Sequence, residues 1–391
     1  MKRILSQLCL ATLLLATTFS CKKEDDAQVT NATIQLEAPT ELPDTSLDLF
    51  EITFTNQNSG SSSTAITNAT GLAKITLEEG LYNISTTTEK EVISDQGEKS
   101  KLNFTARLEN VKVVGATQNI EMPLIRSAKT SAWVFKEIFI SCSPYPNSRK
   151  FYIYDQFFEI YNNSDELQNA KGIAFGESRH VSTSSTYAWG DVTKQVALSN
   201  VYSIPEDVDY MVQPGESIVI ATKGLDHRTI DPSFQDLSHA NFECYDGGKF
   251  DTDVPEVPNL VVNFTTTRSF WMASMQQNRS YVLFKADNLK KYVTDNIGHK
   301  PGNEDYKGMF VDNKLVLDAV ELAKEGKFNS KGLDISLDLT KAMMIGETKG
   351  KSFRRKVKEV KDGRTIYQDT NNSEQDFIVQ DKPTPFVQAK N

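Results

Sequence analysis

Histidine and cysteine are scarce in this chain. Its 391 residues include four of each, and no HExxH or CxxC occurs, so nothing in the sequence announces a dedicated zinc site. No GxSxG is present, which removes the nucleophile elbow of the hydrolases. Acidic residues are plentiful, but nothing singles out two of them as the carboxylate pair of a glycosidase. Basic residues are in deficit, with 43 Lys and Arg against 52 Asp and Glu. Binding a nucleic-acid backbone needs a basic face, so that class of function is set aside. The run Ile4–Phe19 is short for a membrane span. A non-enzymatic protein without a cofactor is the expectation.

What is present starts at the N-terminus. Met1-Lys2-Arg3 is a basic segment, Ile4–Phe19 is apolar and includes Cys9, and Ser20 precedes Cys21. This pattern is a secretory signal, removed from the mature chain. Loss of Lys2 and Arg3 moves the formal charge from −9 to −11. The Ser20-Cys21 junction resembles a bacterial lipoprotein cleavage site, although Thr18 and Phe19 depart from the usual residues. The resemblance implies residues 1–20 as signal peptide and Cys21 as the lipid-attachment residue. Lys22-Lys23-Glu24-Asp25-Asp26 reads as a solvated linker. It also resembles the acidic surface-export signal of Bacteroidetes lipoproteins, so residues 21–31 are expected to be an acidic tether. Acyl chains there would anchor the protein at about 0.8 kcal/mol per buried methylene. An outer-membrane lipoprotein exposed at the cell surface is therefore expected.

Length favours two folded units after the leader. The first is placed at 32–126. Ala32–Leu36, Ser46–Thr55, Ala73–Leu77, Tyr82–Thr88, Leu102–Leu108 and Gln118–Pro123 read as short strands, several alternating apolar with polar residues. Thr67–Gly71 and Glu78–Gly80 supply turns. Strands at this spacing indicate a β-sandwich. The succession ITFTN, then TNATGLAKITLEEGLYNIS, resembles the transthyretin-like or carboxypeptidase-regulatory-like modules of surface proteins. That resemblance implies a spacer.

The second unit is placed at 130–391. Trp133–Ile140 reads as a strand, and Phe151–Tyr161 as a buried strand entering the turn Asn162-Asn163-Ser164. Val212–Thr222 is a Pro-Gly turn and an apolar strand. WVFKEIFI…DQFFEIYNNSDE resembles the opening of a lamin-tail domain, an immunoglobulin-like sandwich. Tyr281–Phe284 and Lys314–Glu321 resemble its later strands, with a short helix over Asp318–Lys324 as the alternative. Ser352–Arg355 and Asp369–Phe377 resemble its closing segment. Residues 170–199 and 227–267 are long for loops and read as insertions. The fold expected for the whole is all-β, two β-sandwich domains in tandem. As a whole the chain resembles an uncharacterised family of Bacteroidetes surface lipoproteins whose genes commonly neighbour TonB-dependent receptors. The resemblance implies a TonB-dependent outer-membrane receptor as partner and a role in nutrient uptake, with iron or haem among the cargoes. The alternative is a stand-alone lipoprotein that binds glycan or matrix.

The candidate site residues lie mainly in the two insertions. His180, Tyr187, Trp189, His227, His239 and Tyr245 are side chains that stack on sugars or ligate haem, and equally side chains that bury themselves under their own loops. Asp246, Asp251 and Asp253 offer oxygen ligands near a Gly-Gly turn, short of the EF-hand pattern, so a calcium loop stands against a plain surface turn. Cys142 and Cys244 read either as a disulfide in an exported protein or as two buried thiols. Trp271 reads as core, and Arg354-Arg355-Lys356-Val357-Lys358 as one solvated strand face.

Overall fold

The structure is a computed structural model and describes residues 28–40, 42–93, 99–127, 131–267 and 270–387. The expected signal peptide, Cys21 and the first part of the tether lie outside the described residues. The last part of that tether is strand rather than linker, because Thr30, Ala32, Ile34 and Leu36 bury one alternating face. Among the described residues no helix is long and apolar enough to cross a membrane.

The first domain has eight strands: β1 Val29–Glu37, β2 Glu51–Asn56, β3 Ser62–Ile66, β4 Leu72–Glu78, β5 Gly80–Ile93, β6 Lys99–Val113, β7 Thr117–Pro123 and β8 Ile125–Arg126. They form a three-stranded sheet, β4-β1-β7, and a five-stranded sheet, β3-β2-β5-β6-β8. Apolar side chains from both sheets, including Ile34, Phe50, Phe54, Ile84, Phe104 and Met122, close a single core. The turn after β3 is set by Asn68, whose side-chain oxygen accepts from the Thr70 and Leu72 amides. Gly71 then takes φ +77°, and a Cβ there would meet Leu47 at 2.9 Å. The polar strand β3 escaped the hydrophobic pattern because it is an edge strand with no buried face.

In the second domain, besides the two-residue strands Ser143–Pro144, Phe151–Tyr152, Gln168–Asn169 and Met211–Val212, which pair as two small ladders, the strands are β9 Trp133–Phe139, β10 Phe157–Asn162, β11 Ala174–Glu177, β12 Gln195–Leu198, β13 Asn200–Ser203, β14 Ser217–Ala221, β15 Phe242–Glu243, β16 Val261–Thr265 and β17 Ser280–Phe284. The helix α1, Leu289–Asp295, follows. Then come β18 Ile297–Lys300, β19 Asn303–Asp312, β20 Val316–Lys324, β21 Ala342–Met344, β22 Ser352–Arg355, β23 Val357–Lys361, β24 Arg364–Tyr367, the short helix α2 Ser373–Asp376, and β25 Phe377–Gln380.

Two six-stranded sheets, β15-β14-β10-β9-β22-β25 and β16-β13-β11-β17-β20-β21, face each other. Between them lies a core containing Phe135, Phe158, Ile160, Phe175, Tyr202, Trp271 and Tyr281. Trp271 packs on Phe158, Phe175 and Tyr202, as a core residue should. A small sheet, β12-β19-β18, flanks this sandwich. The expected all-β tandem of sandwiches is what the chain forms.

Several local expectations are corrected. Phe151–Tyr161 is not one strand: buried Asp155 accepts from the Ser143 amide, and the side-chain amide of Gln156 donates to Ile140 and Ala273 carbonyls, so the chain turns before β10. Asp318–Lys324 is strand, paired with β17, and the helical alternative falls. The two "insertions" supply sheet strands: 170–199 carries β11 and β12, and 227–267 carries β15 and β16. For Cys142 and Cys244 one of the two open readings holds, since both are free and buried. They follow β9 and β15, which stand three strand spacings apart in one sheet, about 14 Å, beyond what a disulfide spans. The basic run is not a solvated face either, since Arg354 and Arg355 are buried. Arg354 pairs with Glu137 at 3.0 Å, and Arg355 with Asp318 at 2.5 Å and Asp369 at 3.3 Å.

Candidate functional site

Strands β11, β17 and β20 are neighbours in the second large sheet, and each pair is antiparallel. The end of β11, the start of β17 and the end of β20 therefore lie at one edge of the sandwich. The loops that leave this edge are 178–194, the segment before Ser280, and 325–331. Their roots are buried polar groups. The Glu177 carboxylate accepts from the Ser274 amide at 2.7 Å and the Tyr281 hydroxyl at 2.8 Å, with Arg279 3.6 Å away. Burial pushes its pKa up, against the pull of Arg279. Arg279 also donates to the carbonyls of Ser178 and Arg179. Glu321, at the third root, accepts from the Gly332 and Leu333 amides.

A ridge forms where two of these loops pair. Asn329 donates its amide to Ser182 and its side chain to Thr183, and the Ser330 hydroxyl donates to Ser184. His180 stands beneath this ridge. Its Nε2 lies 3.1 Å from the Ser330 hydroxyl and 3.2 Å from the Ser330 carbonyl, and its ring contacts Tyr187. Burial lowers its pKa, so the neutral imidazole is the form at pH 7.

Two cavities adjoin the ridge. The larger, about 650 Å³, is lined by Thr183, Met275, Gln276, Gln277, Asn278 and Asn329, with Phe151 and the lysines 324, 327 and 349. The smaller, about 360 Å³, is lined by Arg179, His180, Ser184, Ser185, Thr186, Trp189, Arg279, Lys300 and Tyr306. Arg179 lies over the rings of both Trp189, 5.3 Å, and Tyr306, 5.8 Å, and donates to the Lys307 carbonyl. Such stacking fixes a guanidinium without neutralising it.

The structure thus brings His180, Tyr187 and Trp189 into one neighbourhood. Trp189 is a wall of that cavity rather than an open platform, being 5% exposed. The other candidates line neither cavity. His227 is buried, with Nδ1 2.9 Å from the Tyr152 hydroxyl and Nε2 3.0 Å from the Lys223 carbonyl, so both nitrogens serve packing. His239 is exposed and Tyr245 half-buried. Asp246, Asp251 and Asp253 do not converge as ligands. Asp246 accepts from the Gly248 amide, Asp251 from the Asp246 and Thr252 amides, and Asp253 from the Asn259 side chain. Among the described residues no group of three or more His, Cys, Asp or Glu is placed to hold a metal ion. The calcium loop is therefore replaced by the plain turn.

The amides and lysines of the larger cavity escaped sequence reasoning. They come from three segments joined only by sheet topology, and no local motif marks them. A weak signal existed in QQN at 276–278, a polar triplet before an apolar strand.

Residues 213–384 match a family model described as a protein of unknown function (DUF4876). Among solved structures, the chain is similar to the crystal structure of a DUF4876 family protein from Bacteroides thetaiotaomicron. The TM-score is 0.56 at 20% identity, covering 89% of this chain and 94% of that one. That likeness shows the fold. A DUF3823 family protein from Parabacteroides merdae aligns at a TM-score of 0.18 and 9% identity, over 53% of this chain and 86% of its own, which carries no argument. No curated protein matches. Both DUF4876 matches agree with the resemblance to an uncharacterised Bacteroidetes family.

Proposed function

We propose that this protein is a non-catalytic ligand-capture lipoprotein, anchored through Cys21 to the outer membrane, facing the medium, and serving a TonB-dependent outer-membrane receptor in nutrient uptake. The observation that carries the capture reading is the pair of adjoining cavities at one edge of the second sandwich. Both are walled by side chains that bind rather than react: amides, hydroxyls, cations and rings. Their one histidine is committed to the ridge through Nε2. Their rigid roots, Glu177 and Glu321, hold the loops in place before any ligand arrives, which limits the entropic cost of binding. The leader, the cysteine at its end and the acidic run after it support the anchoring. The first sandwich fits a spacer that sets height above the lipid.

The test is a pull-down of the tagged lipoprotein from its own outer membrane, solubilised in mild detergent, with partners identified by mass spectrometry. A stoichiometric TonB-dependent barrel is expected. Clean separation from every barrel would overturn the transport role and leave the stand-alone glycan- or matrix-binding reading.

A further inference from the structure

The charge of the two cavities departs from that of the molecule. Over the whole chain, acidic residues exceed basic ones, 52 to 43. The larger cavity is lined by Lys324, Lys327 and Lys349 and the smaller by Arg179, Arg279 and Lys300, with no carboxylate in either wall. Carboxylates on the adjoining segments have partners of their own. Glu325 accepts from the Gly346 amide, and Glu347 from the Thr348 and Lys349 amides. Glu177 lies behind Arg279, in the buried root. The folded framework accounts for two of the six cations, since Arg279 pairs with Glu177 and Arg179 is stacked on two rings. Among the described residues Lys300, Lys324, Lys327 and Lys349 make no ion pair, and Glu347, outside the walls, only partly offsets Lys324 and Lys349. A concave site of one sign focuses its field on a ligand of the other sign.

The remaining lining narrows the ligand further. The side-chain amides of Gln277, Asn278 and Asn329 donate to the Met275 carbonyl, the Gln276 side chain and the Thr183 carbonyl and so stiffen the wall, while exposed Gln276 presents its NH2 to the cavity. Ser184, Ser185 and Thr186 add hydroxyls on the other side of the ridge, beside the Tyr306 ring, which is 52% exposed. A ligand that satisfies hydroxyls, an exposed ring and point charges together is a sugar chain that bears acid groups. A phosphate ion would use the cations and leave the hydroxyls and the Tyr306 ring idle. A neutral sugar would use the hydroxyls and the ring and leave the four lysines without a counter-charge.

We infer that the cargo or anchor captured at this edge is an anionic oligosaccharide, bearing uronate or sulfate groups and lying across the ridge between the two cavities. The inference rests on the capture reading and adds the chemical class of the ligand. Lysine ammoniums suit it as mobile point charges, and the stacked Arg179 offers a fixed, planar contact for a carboxylate or sulfate.

The experiment is isothermal titration of the full mature lipoprotein in detergent micelles with three size-matched oligosaccharides: oligogalacturonate, chondroitin sulfate fragments and maltodextrin. Either or both of the acidic chains should bind at least about tenfold more tightly than maltodextrin. The advantage should shrink as salt rises from about 0.05 to 0.5 M, since the lysines are partly exposed and screened. Binding of oligogalacturonate shows that carboxylates suffice, and binding of chondroitin sulfate alone shows that sulfate is the group read. The triple variant Lys324→Gln/Lys327→Gln/Lys349→Gln should weaken acidic-chain binding by about tenfold or more, and the matching Lys→Arg triple should retain most of it. Maltodextrin binding as tightly as the acidic chains would overturn the inference while leaving the capture reading standing. No binding by any of the three, with no barrel in the pull-down, would overturn both.

Discussion

Asp155 shows how a single buried acid couples stability to pH. Its side chain is fully buried in the turn before β10, with Oδ1 3.4 Å from the Ser143 amide and Oδ2 without a partner. Burial pushes its pKa from 3.8 up to about 6. The folded protein therefore holds a proton that the unfolded chain has lost between about pH 4 and 6. Stability from the protonated form is complete below about pH 4 and is lost as pH rises through 6. Asp155→Asn keeps the acceptor for Ser143 and removes the charge. It should raise unfolding free energy by about 2 kcal/mol at pH 7.5 and by nearly nothing at pH 4. Urea titrations at both pH values read this, and an equal effect at the two would sink it. The same scale explains why Arg354 and Arg355 misled. A basic run looks solvated in sequence, but here burial depresses the Arg355 guanidinium less than Asp318, Asp369 and Asp376 raise it. Those partners lie up to 37 residues away and leave no local mark.

Strand β11 is the element on which the candidate edge depends. It sits between β13 and β17, and its last residue, Glu177, roots the loops around both cavities. Gly176 lets it approach β13 closely: a Cβ there would stand 2.3 Å from the Asn200 carbonyl oxygen and 2.9 Å from Leu198. Neither is the free end of a flexible surface side chain, because Leu198 is itself fully buried. Gly176→Ala should cost about 2–3 kcal/mol and shift the denaturant midpoint accordingly. An unchanged midpoint would show that the two strands part at no cost. This strand was hidden in the sequence. Ala174–Glu177 is four residues long and reads in sequence as part of a long loop, whereas β1, β4, β9 and β14 are legible from alternation or from runs of bulky apolar residues. Short central strands carry too few residues to show a period. The cavities they organise inherit that obscurity. His180, Tyr187 and Trp189 stand out as ring side chains grouped in one polar stretch, but lysines and amides do not.

At the scale of the whole molecule, the two sandwiches were legible and so was their order, because each domain's turns and apolar strands fall within its own stretch of chain. Their cores share no residue: one runs from Ala32 to Leu124 and the other from Trp133 to Phe377. Where they meet, Asn83 and Arg107 of the first domain share a cavity of about 370 Å³ with Lys341, Met343 and Phe377 of the second. Burial would raise the pKa of Glu109, but Arg107 and Lys341 outweigh it and hold the carboxyl below its usual range. A contact of this mixed polar kind resembles the interfaces between independently folding domains. The chain from 131 to 387, expressed without the first sandwich, should therefore unfold cooperatively. Its midpoint should lie within about 3 °C of the corresponding transition in the full protein, a shift smaller than about 1 kcal/mol. Scanning calorimetry of both proteins decides this. A second sandwich that is unfolded alone would make the first a folding partner rather than a spacer. A matched transition would mean that the first sandwich contributes position and not stability. That is the division of labour a surface-anchored capture protein needs, since the cavities belong wholly to the second domain.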